Sequence, residues 1–278
     1  MDAAIALSRD TEFRPGFRPR RQISHVVFDF DGTLSWLRHG WPEIMFQLFR
    51  EHLPVCQGET ESVIHALLLN DILSLNGKPS IFQMRLCVQR VQERGGAAPP
   101  PEQLLSEYQR RLDAAIEERT GQIREGRAQR DDFVVYGARA LLERLKARGL
   151  DLIILSGTLE TRVKQEAELL GLAGFFGRHI YGGTANLAQS DKRAVVARLL
   201  QEEHIAGEHL LAVGDGPVEI QIAKEAGGLA VGVASDEDRN GSGNMHPQKL
   251  VQLRSAGADV LIPDYRGPDA LVECILGK

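Results

Sequence analysis

Cysteine is scarce in this chain. Its 278 residues hold three, Cys56, Cys87 and Cys274, far apart and with no CxxC pair. That excludes a disulfide framework and a cysteine zinc site, and it fits free thiols in a reducing compartment, read here as the cytoplasm. The eight histidines show no metal-ligand spacing. No uncharged apolar run approaches the roughly 20 residues of a membrane-spanning helix. The apolar start, Ile5 to Leu7, is too short for a signal-peptide core. An excess of positive charge is missing too: the formal net charge is −5, which argues against nucleic acid or an anionic membrane as partner. Repeats and low-complexity tracts are absent. What remains is an ordinary soluble composition, 43% hydrophobic and 26% charged, at a length that suits one large or two small domains.

Against that background one stretch stands out. Val26-Val27-Phe28-Asp29-Phe30-Asp31-Gly32-Thr33-Leu34-Ser35 is an apolar run that ends in two acids and a glycine. Its near-continuous apolar character predicts a central strand of a parallel sheet from Ile23 to Phe30. A buried strand that delivers two unpaired carboxylates is unfavourable by several kcal/mol per charge, in order of magnitude. The stretch therefore calls for a positive partner, and a divalent cation with a phosphate would supply one. Upstream, the segment from Arg9 to Arg21 has five arginines and two prolines and reads as the end of a flexible tail, 1–21.

After Ser35 the period becomes helical. Trp41, Ile44, Met45, Leu48 and Phe49 form one stripe and Val63, Ile64, Leu67, Leu68 and Ile72 a second. The turn Asn76-Gly77-Lys78-Pro79 leads to a third helix near Ser80. A fourth starts at Pro101 or Glu102, with Leu104, Leu105, Tyr108, Leu112, Ala115 and Ile116 on one face. From Asp132 strands and helices alternate, as in an α/β fold. Strands are expected at Leu150 to Leu155, His179 to Tyr181, His209 to Val213, Leu229 to Val233 and Asp259 to Ile262. Helices are expected at Ala138 to Ala147, Leu159 to Leu170, Lys192 to Glu203 with Ser190 or Asp191 as cap, Val218 to Ala226 and Pro247 to Ala256. Asn240-Gly241-Ser242-Gly243-Asn244 reads as a flexible connection. The helical interval, 36–131, is thus an insertion that leaves just past the two acids, between core segments 22–35 and 132–278. Ligands of open α/β sheets bind at the carboxyl ends of the strands, so the insertion is expected to act as a lid.

Three strand ends share one chemical character. The first supplies Asp29 and Asp31, the second Ser156-Gly157-Thr158, and the third Gly214-Asp215-Gly216-Pro217-Val218-Glu219. Lys192 opens the helix before the third. Phosphoryl transfer needs a nucleophile, neutralisation of the transferring oxygens and a proton for the leaving group. Carboxylates, a hydroxyl, backbone N–H groups and an ammonium meet those needs, and Mg²⁺ accepts such hard oxygen ligands. Ser156 and Gly157 are expected to open a helix N-terminus and hold phosphate oxygens there.

In order and setting these four segments resemble the four motifs of the haloacid dehalogenase (HAD) superfamily. The insertion after the first motif resembles the helical cap of its phosphoglycolate phosphatase and β-phosphoglucomutase branch. The resemblance implies a Rossmann-like α/β core with an inserted α-helical cap. It also implies Mg²⁺-dependent hydrolysis of a small phosphorylated substrate. By the same resemblance Asp29 is the nucleophile and Asp31 the general acid and base. Asp29, Asp215 and the Asp31 backbone carbonyl hold Mg²⁺, and Ser156 and Lys192 bind the phosphoryl group. Glu219 stands where the family often has Asp, so it reaches the metal through water or only orients a ligand. Asp31 argues against dehalogenation, because the dehalogenases lack that second acid.

Lys78, in the turn of the insertion, is a candidate to reach an anionic substrate. Arg85, Arg124 and Arg127 have weaker cases, and Lys164 is the competitor of Lys192. Alternatives on the same core are a sugar phosphomutase, a phosphonate hydrolase that would need a cap amine such as Lys78, and a non-catalytic regulatory module. Substrate identity and oligomeric state stay open.

Overall fold

The computed structural model of the protein describes residues 7, 10–75, 78–183 and 192–277. Ile5, Arg9, Asn76, Gly77 and the cap candidates Ser190 and Asp191, all singled out above, lie outside the described residues. The chain divides into two compact units, one made of Met1–Leu37 with Ile123–Lys278 and the other of Arg38–Gln122. The second unit is shorter at both ends than the interval 36–131.

The Arg38–Gln122 unit is helical, with α1 (Trp41–His52), α2 (Glu61–Ser74), α3 (Ile81–Glu93) and α4 (Pro101–Arg124). Pro42 sits in the first turn of α1, where its missing N–H costs nothing. Thr60 caps α2 by accepting from the Val63 amide at 3.4 Å. The apolar stripes meet in one core of Met45, Leu48, Phe49, Ile64, Leu68, Ile72, Met84, Cys87, Val91, Leu104 and Tyr108. Val63, expected on the apolar stripe of α2, instead faces solvent with 54% of its surface exposed.

The other unit is built on one seven-stranded sheet. Its strands are β1 (Glu12–Phe13), β2 (His25–Phe28), β3 (Asp151–Leu159), β4 (Ile180–Gly183), β5 (Leu210–Gly214), β6 (Leu229–Val233) and β7 (Val260–Ile262). They lie in the order β4-β3-β2-β5-β6-β7-β1 and are parallel except for β1. Alternate residues of β2 feed opposite layers. Val26 and Phe28 pack with α5 (Ala138–Ala147), α6 (Glu160–Leu169), α7 (Ala173–Phe176) and α11 (Pro268–Leu276). Val27 packs with α8 (Lys192–Glu202) and α9 (Pro217–Ala226). Beside them α10 (Pro247–Ala256) covers Ala212 and Ala230 through Leu253. Burial on both faces is why these strands read as continuous apolar runs. The chain goes from β2 to β3 on one side and later to β5 on the other, so β2 is the switch point, where such sheets open a crevice.

Three expectations need correction. First, residues 10–21 are not a free tail. β7 would otherwise present an unpaired edge, and β1 covers it, with Glu12 opposite Leu261 and Phe13 opposite Val260. The Arg14 amide donates to Asp259 O at 2.9 Å, the Arg20 amide to Ile275 O at 2.9 Å, and the Arg20 guanidinium to Gly227 O at 2.5 Å. Second, the strand expected to stop at Leu155 runs to Leu159, and α6 starts only at Glu160. Pairing with β4 shifts between Leu155 and Leu159, so Ser156 and Gly157 lie in a bulged strand end and not at a helix N-terminus. Third, the 240–244 loop is anchored. Asn240 Nδ2 donates to Val134 O at 2.7 Å, its Oδ1 accepts from the Tyr136 amide at 2.9 Å, and Gly241 O accepts from Arg266 at 3.0 Å. Among the described helices none is long and apolar enough to cross a membrane.

Candidate active site

Strand pairing brings the first acid to its place. The Asp29 amide donates to Val213 O of β5 at 2.9 Å, so the ladder runs one residue past β2. The chain then folds back tightly. The amides of Leu34 and Ser35 both donate to Phe30 O at 2.8 Å, and the Gly32 amide to Ser35 O at 2.9 Å. Gly32 has φ +74°, and a Cβ there would come within 2.3 Å of Asp215 Oδ2. Only glycine gives both the left-handed turn and this approach of backbone to carboxylate. Two buried hydroxyls hold the next carbonyls: Ser235 Oγ donates to Gly32 O at 3.0 Å and Tyr265 OH to Thr33 O at 2.9 Å. From the end of β3, Thr158 Oγ1 donates to Asp31 Oδ2 at 2.7 Å. Ser156 is buried and its Oγ accepts from the Thr158 amide at 3.0 Å, whereas Gly157 is exposed with open space beside its Cα.

Two lysines organise the acids. Lys192, the first residue of α8, donates to Asp29 Oδ1 at 2.9 Å and to Glu219 Oε1. Lys249, on α10, donates to Asp215 Oδ2 at 2.9 Å, to Glu237 Oε1 and to Ser235 Oγ at 3.0 Å. Burial by itself would lower the pKa of both ammonium groups. Asp29 and Glu219 around Lys192, and Asp215 and Glu237 around Lys249, outweigh burial and hold both pKa values above the usual lysine value. The acids move the other way. Burial, with repulsion from Glu219 and Asp215, pushes the Asp29 carboxyl up to about 8 against the pull of Lys192. Asp215 is raised by burial and by Glu237 and Glu219, despite Lys249.

Raised acids beside charged lysines mean that the cluster is short of positive charge. Lys192 is set against Asp29 and Glu219, and Lys249 against Asp215 and Glu237. Among the described residues Asp29 Oδ2 and Asp215 Oδ1 have no hydrogen-bond partner, while their sister oxygens are taken by lysine. No three metal-ligating side chains converge among the described residues. The open oxygens of Asp29 and Asp215 are hard donors of the kind a divalent cation accepts, with water or substrate to complete its shell. Glu219 is committed to Lys192, and that geometry sets it to orient the lysine.

Of the residues singled out in the sequence, Asp29, Lys192 and Glu219 come together, and Asp31, Ser156, Gly157 and Asp215 line the same strand ends. Lys78 belongs to neither lysine group. It is an exposed residue of the helical unit, and its amide donates to Leu75 O at 3.1 Å. Lys164 pairs with Glu160 at 2.5 Å on the outside of α6, Arg127 pairs with Glu125 at 2.6 Å, and Arg85 lies over the Phe82 ring. Sequence reasoning missed Lys249, Glu237, Ser235 and Tyr265, and the Thr158 contact to Asp31. One signal was available for Lys249. On α10 it shares the buried face with Leu253, four residues on, whereas Val251 is 59% exposed. A charge inside and an apolar residue outside break the usual pattern.

A family model of haloacid dehalogenase-like hydrolases matches residues 23–227, which is most of the chain. No curated protein matches at a significant level. A solved structure described as a predicted phosphoglycolate phosphatase from Haemophilus somnus 129PT has a TM-score of 0.56 at 17% identity, over 90% of this chain and 97% of that one. A haloacid dehalogenase-like protein of unknown function from Agrobacterium tumefaciens C58 reaches 0.61 at 18% identity, over 89% and 95%. A HAD family hydrolase from Deinococcus radiodurans R1, solved with bound phosphate and sodium, reaches 0.58 at 18% identity, over 91% and 96%. At such identities these likenesses establish the fold.

Proposed function

Because the chain belongs to the haloacid dehalogenase-like hydrolases, we propose that it is a Mg²⁺-dependent phosphatase of a small phosphorylated metabolite, acting through an aspartyl-phosphate on Asp29. The observation that carries this reading is the approach of Lys192 Nζ to Asp29 Oδ1 at 2.9 Å, beside Asp31 and Asp215, at adjoining ends of parallel strands. The Deinococcus relative, with its bound phosphate, supports an oxyanion as ligand.

The residues then divide the work of the reaction among them. A carboxylate oxygen of Asp29 attacks phosphorus, and the bond from phosphorus to the leaving oxygen breaks. Asp31 gives its proton to that oxygen, and the alcohol departs. Thr158, hydrogen-bonded to Asp31 Oδ2, keeps the acid facing the reaction. Asp31 next takes a proton from water as the water oxygen attacks the aspartyl-phosphate. The bond from phosphorus to Asp29 breaks, which frees phosphate and restores the carboxylate. Lys192, oriented by Glu219, and the Ser156-Gly157 segment hold the phosphoryl oxygens. Asp29, Asp215 and the Asp31 carbonyl would hold Mg²⁺, which when bound supplies Lewis-acid neutralisation of the transferring oxygens. We assign substrate choice to the helical unit, Arg38–Gln122.

The test is a broad phosphometabolite panel with Mg²⁺ and with EDTA. We expect release of inorganic phosphate from some member, lost on chelation. Inclusion of a sugar 1-phosphate separates hydrolysis from isomerisation. Asp29→Asn is expected to lower kcat on the order of 10³-fold or more and to abolish acid-stable phosphate on the protein. Wild-type turnover by that variant, or no hydrolysis of any member by metal-loaded protein, overturns the reading.

A further inference from the structure

The segment beyond residue 227, where the family match ends, supplies four side chains to this site: Ser235, Glu237, Lys249 and Tyr265. We propose that Lys249 is a positioning residue of the phosphoryl-transfer site. It ties the last acid, Asp215, to the loop of the first motif and so sets the spacing of Asp215 and the Asp31 carbonyl, two of the three groups that would hold Mg²⁺. The inference rests on the reading of the site given above.

An ammonium has three N–H donors, and Lys249 spends one each on Asp215, Glu237 and Ser235. The Ser235 hydroxyl in turn donates a hydrogen bond to Gly32 O at 3.0 Å. One unbroken chain of hydrogen bonds thus runs from Asp215 through Lys249 and Ser235 to the loop between Asp31 and Thr33. Lys249 is 2% exposed and Ser235 4%, so neither contact trades easily with water. With Oδ2 of Asp215 held by Lys249, Oδ1 of the same carboxylate stays open to a cation. The Asp31 carbonyl belongs to the peptide that joins Asp31 to Gly32, so a carbonyl fixed at Gly32 restrains that peptide as well. Glu237 is a second carboxylate partner of the lysine and balances its charge. This lysine is separate from Lys192, which serves Asp29 and Glu219.

The experiment measures Mg²⁺ binding to metal-free protein by titration calorimetry, with thermal unfolding in EDTA and with kcat and KM on p-nitrophenyl phosphate. The variants are Lys249→Met and Ser235→Ala. Removal of a positive charge would tighten cation binding by Coulomb's law alone, so the sign of the change is informative. A positioning role predicts the opposite: Mg²⁺ affinity of folded Lys249→Met falls about 10–100-fold, the usual effect of losing a group that orients a ligand. Ser235→Ala is expected to lower kcat about tenfold with KM within twofold. A folded Lys249→Met with unchanged or tighter Mg²⁺ binding, and merely a lower unfolding temperature, overturns the proposal. If Lys249→Met does not fold, Ser235→Ala decides, and wild-type kcat and Mg²⁺ affinity in that variant overturn it. Wild-type protein that binds no Mg²⁺ overturns the site reading together with this inference, whereas Mg²⁺ bound equally by wild type and variant overturns this inference alone.

Discussion

Gly32 couples backbone conformation to site geometry, and Gly32→Ala tests that coupling. Two costs add. At φ +74° an L-residue loses roughly 1–2 kcal/mol. The new Cβ would also lie 2.3 Å from Asp215 Oδ2 and 2.9 Å from its Cγ, so carboxylate or loop must move by about 1 Å to restore contact distance. Forcing a methyl into filled space costs a further 1–3 kcal/mol or so. Gly149 is the control: its φ is +75° and nothing lies within 4 Å of an added Cβ, so Gly149→Ala carries the conformational cost alone. At about 2–4 °C per kcal/mol for a unit of this size, thermal unfolding should fall a few degrees for Gly149→Ala and roughly 5–15 °C for Gly32→Ala. Activity should separate them further. A displacement of about 1 Å at a reacting group costs on the order of 100-fold, expected in kcat/KM for Gly32→Ala and absent for Gly149→Ala. Equal unfolding temperatures and equal activities for the two variants would refute the close approach of Gly32 and Asp215.

Lys192→Met should lower kcat by about 10²–10³, the range for loss of an electrostatic stabiliser. Glu219→Gln should cost roughly tenfold with Mg²⁺ affinity within threefold, because Glu219 holds the lysine; a large loss of Mg²⁺ binding would instead make it a ligand. In the helical unit Arg90 meets both oxygens of the buried Asp71, at 2.7 and 3.1 Å. Arg90→Ala should cost about 2–3 kcal/mol in urea unfolding, less than a fully buried pair because Arg90 is 33% exposed; an unchanged midpoint would contradict the pairing. Burial, with the Asp71 charge beside it, pushes the Cys87 thiol up to about 12, whereas Cys56 is exposed. Iodoacetamide at pH 8 should therefore label Cys56 and spare Cys87, whose thiolate fraction is about 10⁻⁴. Equal labelling in mass spectra would show that the α2–α3 core is open.

Much of the core was legible because its signals are local. Apolar runs ending in Asp29, Ser156 and Asp215 announced buried parallel strands, and the 3.6-residue stripes announced the helices between them. Local signals failed where long-range pairing decided the conformation. The arginines and prolines before Arg21 read as a tail because nothing nearby in sequence shows that β7 offers them an open edge. The small residues Ser156 and Gly157 read as a helix start, yet pairing with β4 carries the strand on to Leu159. Asn240 and Gly241 read as a flexible connection, because their partners Val134, Tyr136 and Arg266 are distant in sequence.

The chemistry on offer was written in the order of residues: which strand ends carry acids, a hydroxyl and an ammonium, and that a helical segment interrupts the core after the first of them. How the charges are shared depends on the folded arrangement. Lys249 reaches Asp215 from a helix that has no motif, Ser235 reaches the Gly32 carbonyl across 203 residues of sequence, and Glu219 turns to Lys192. The physical reason is that a buried charge takes whichever partner the packed sheet brings within hydrogen-bonding distance. That choice depends on strand order and not on spacing along the chain.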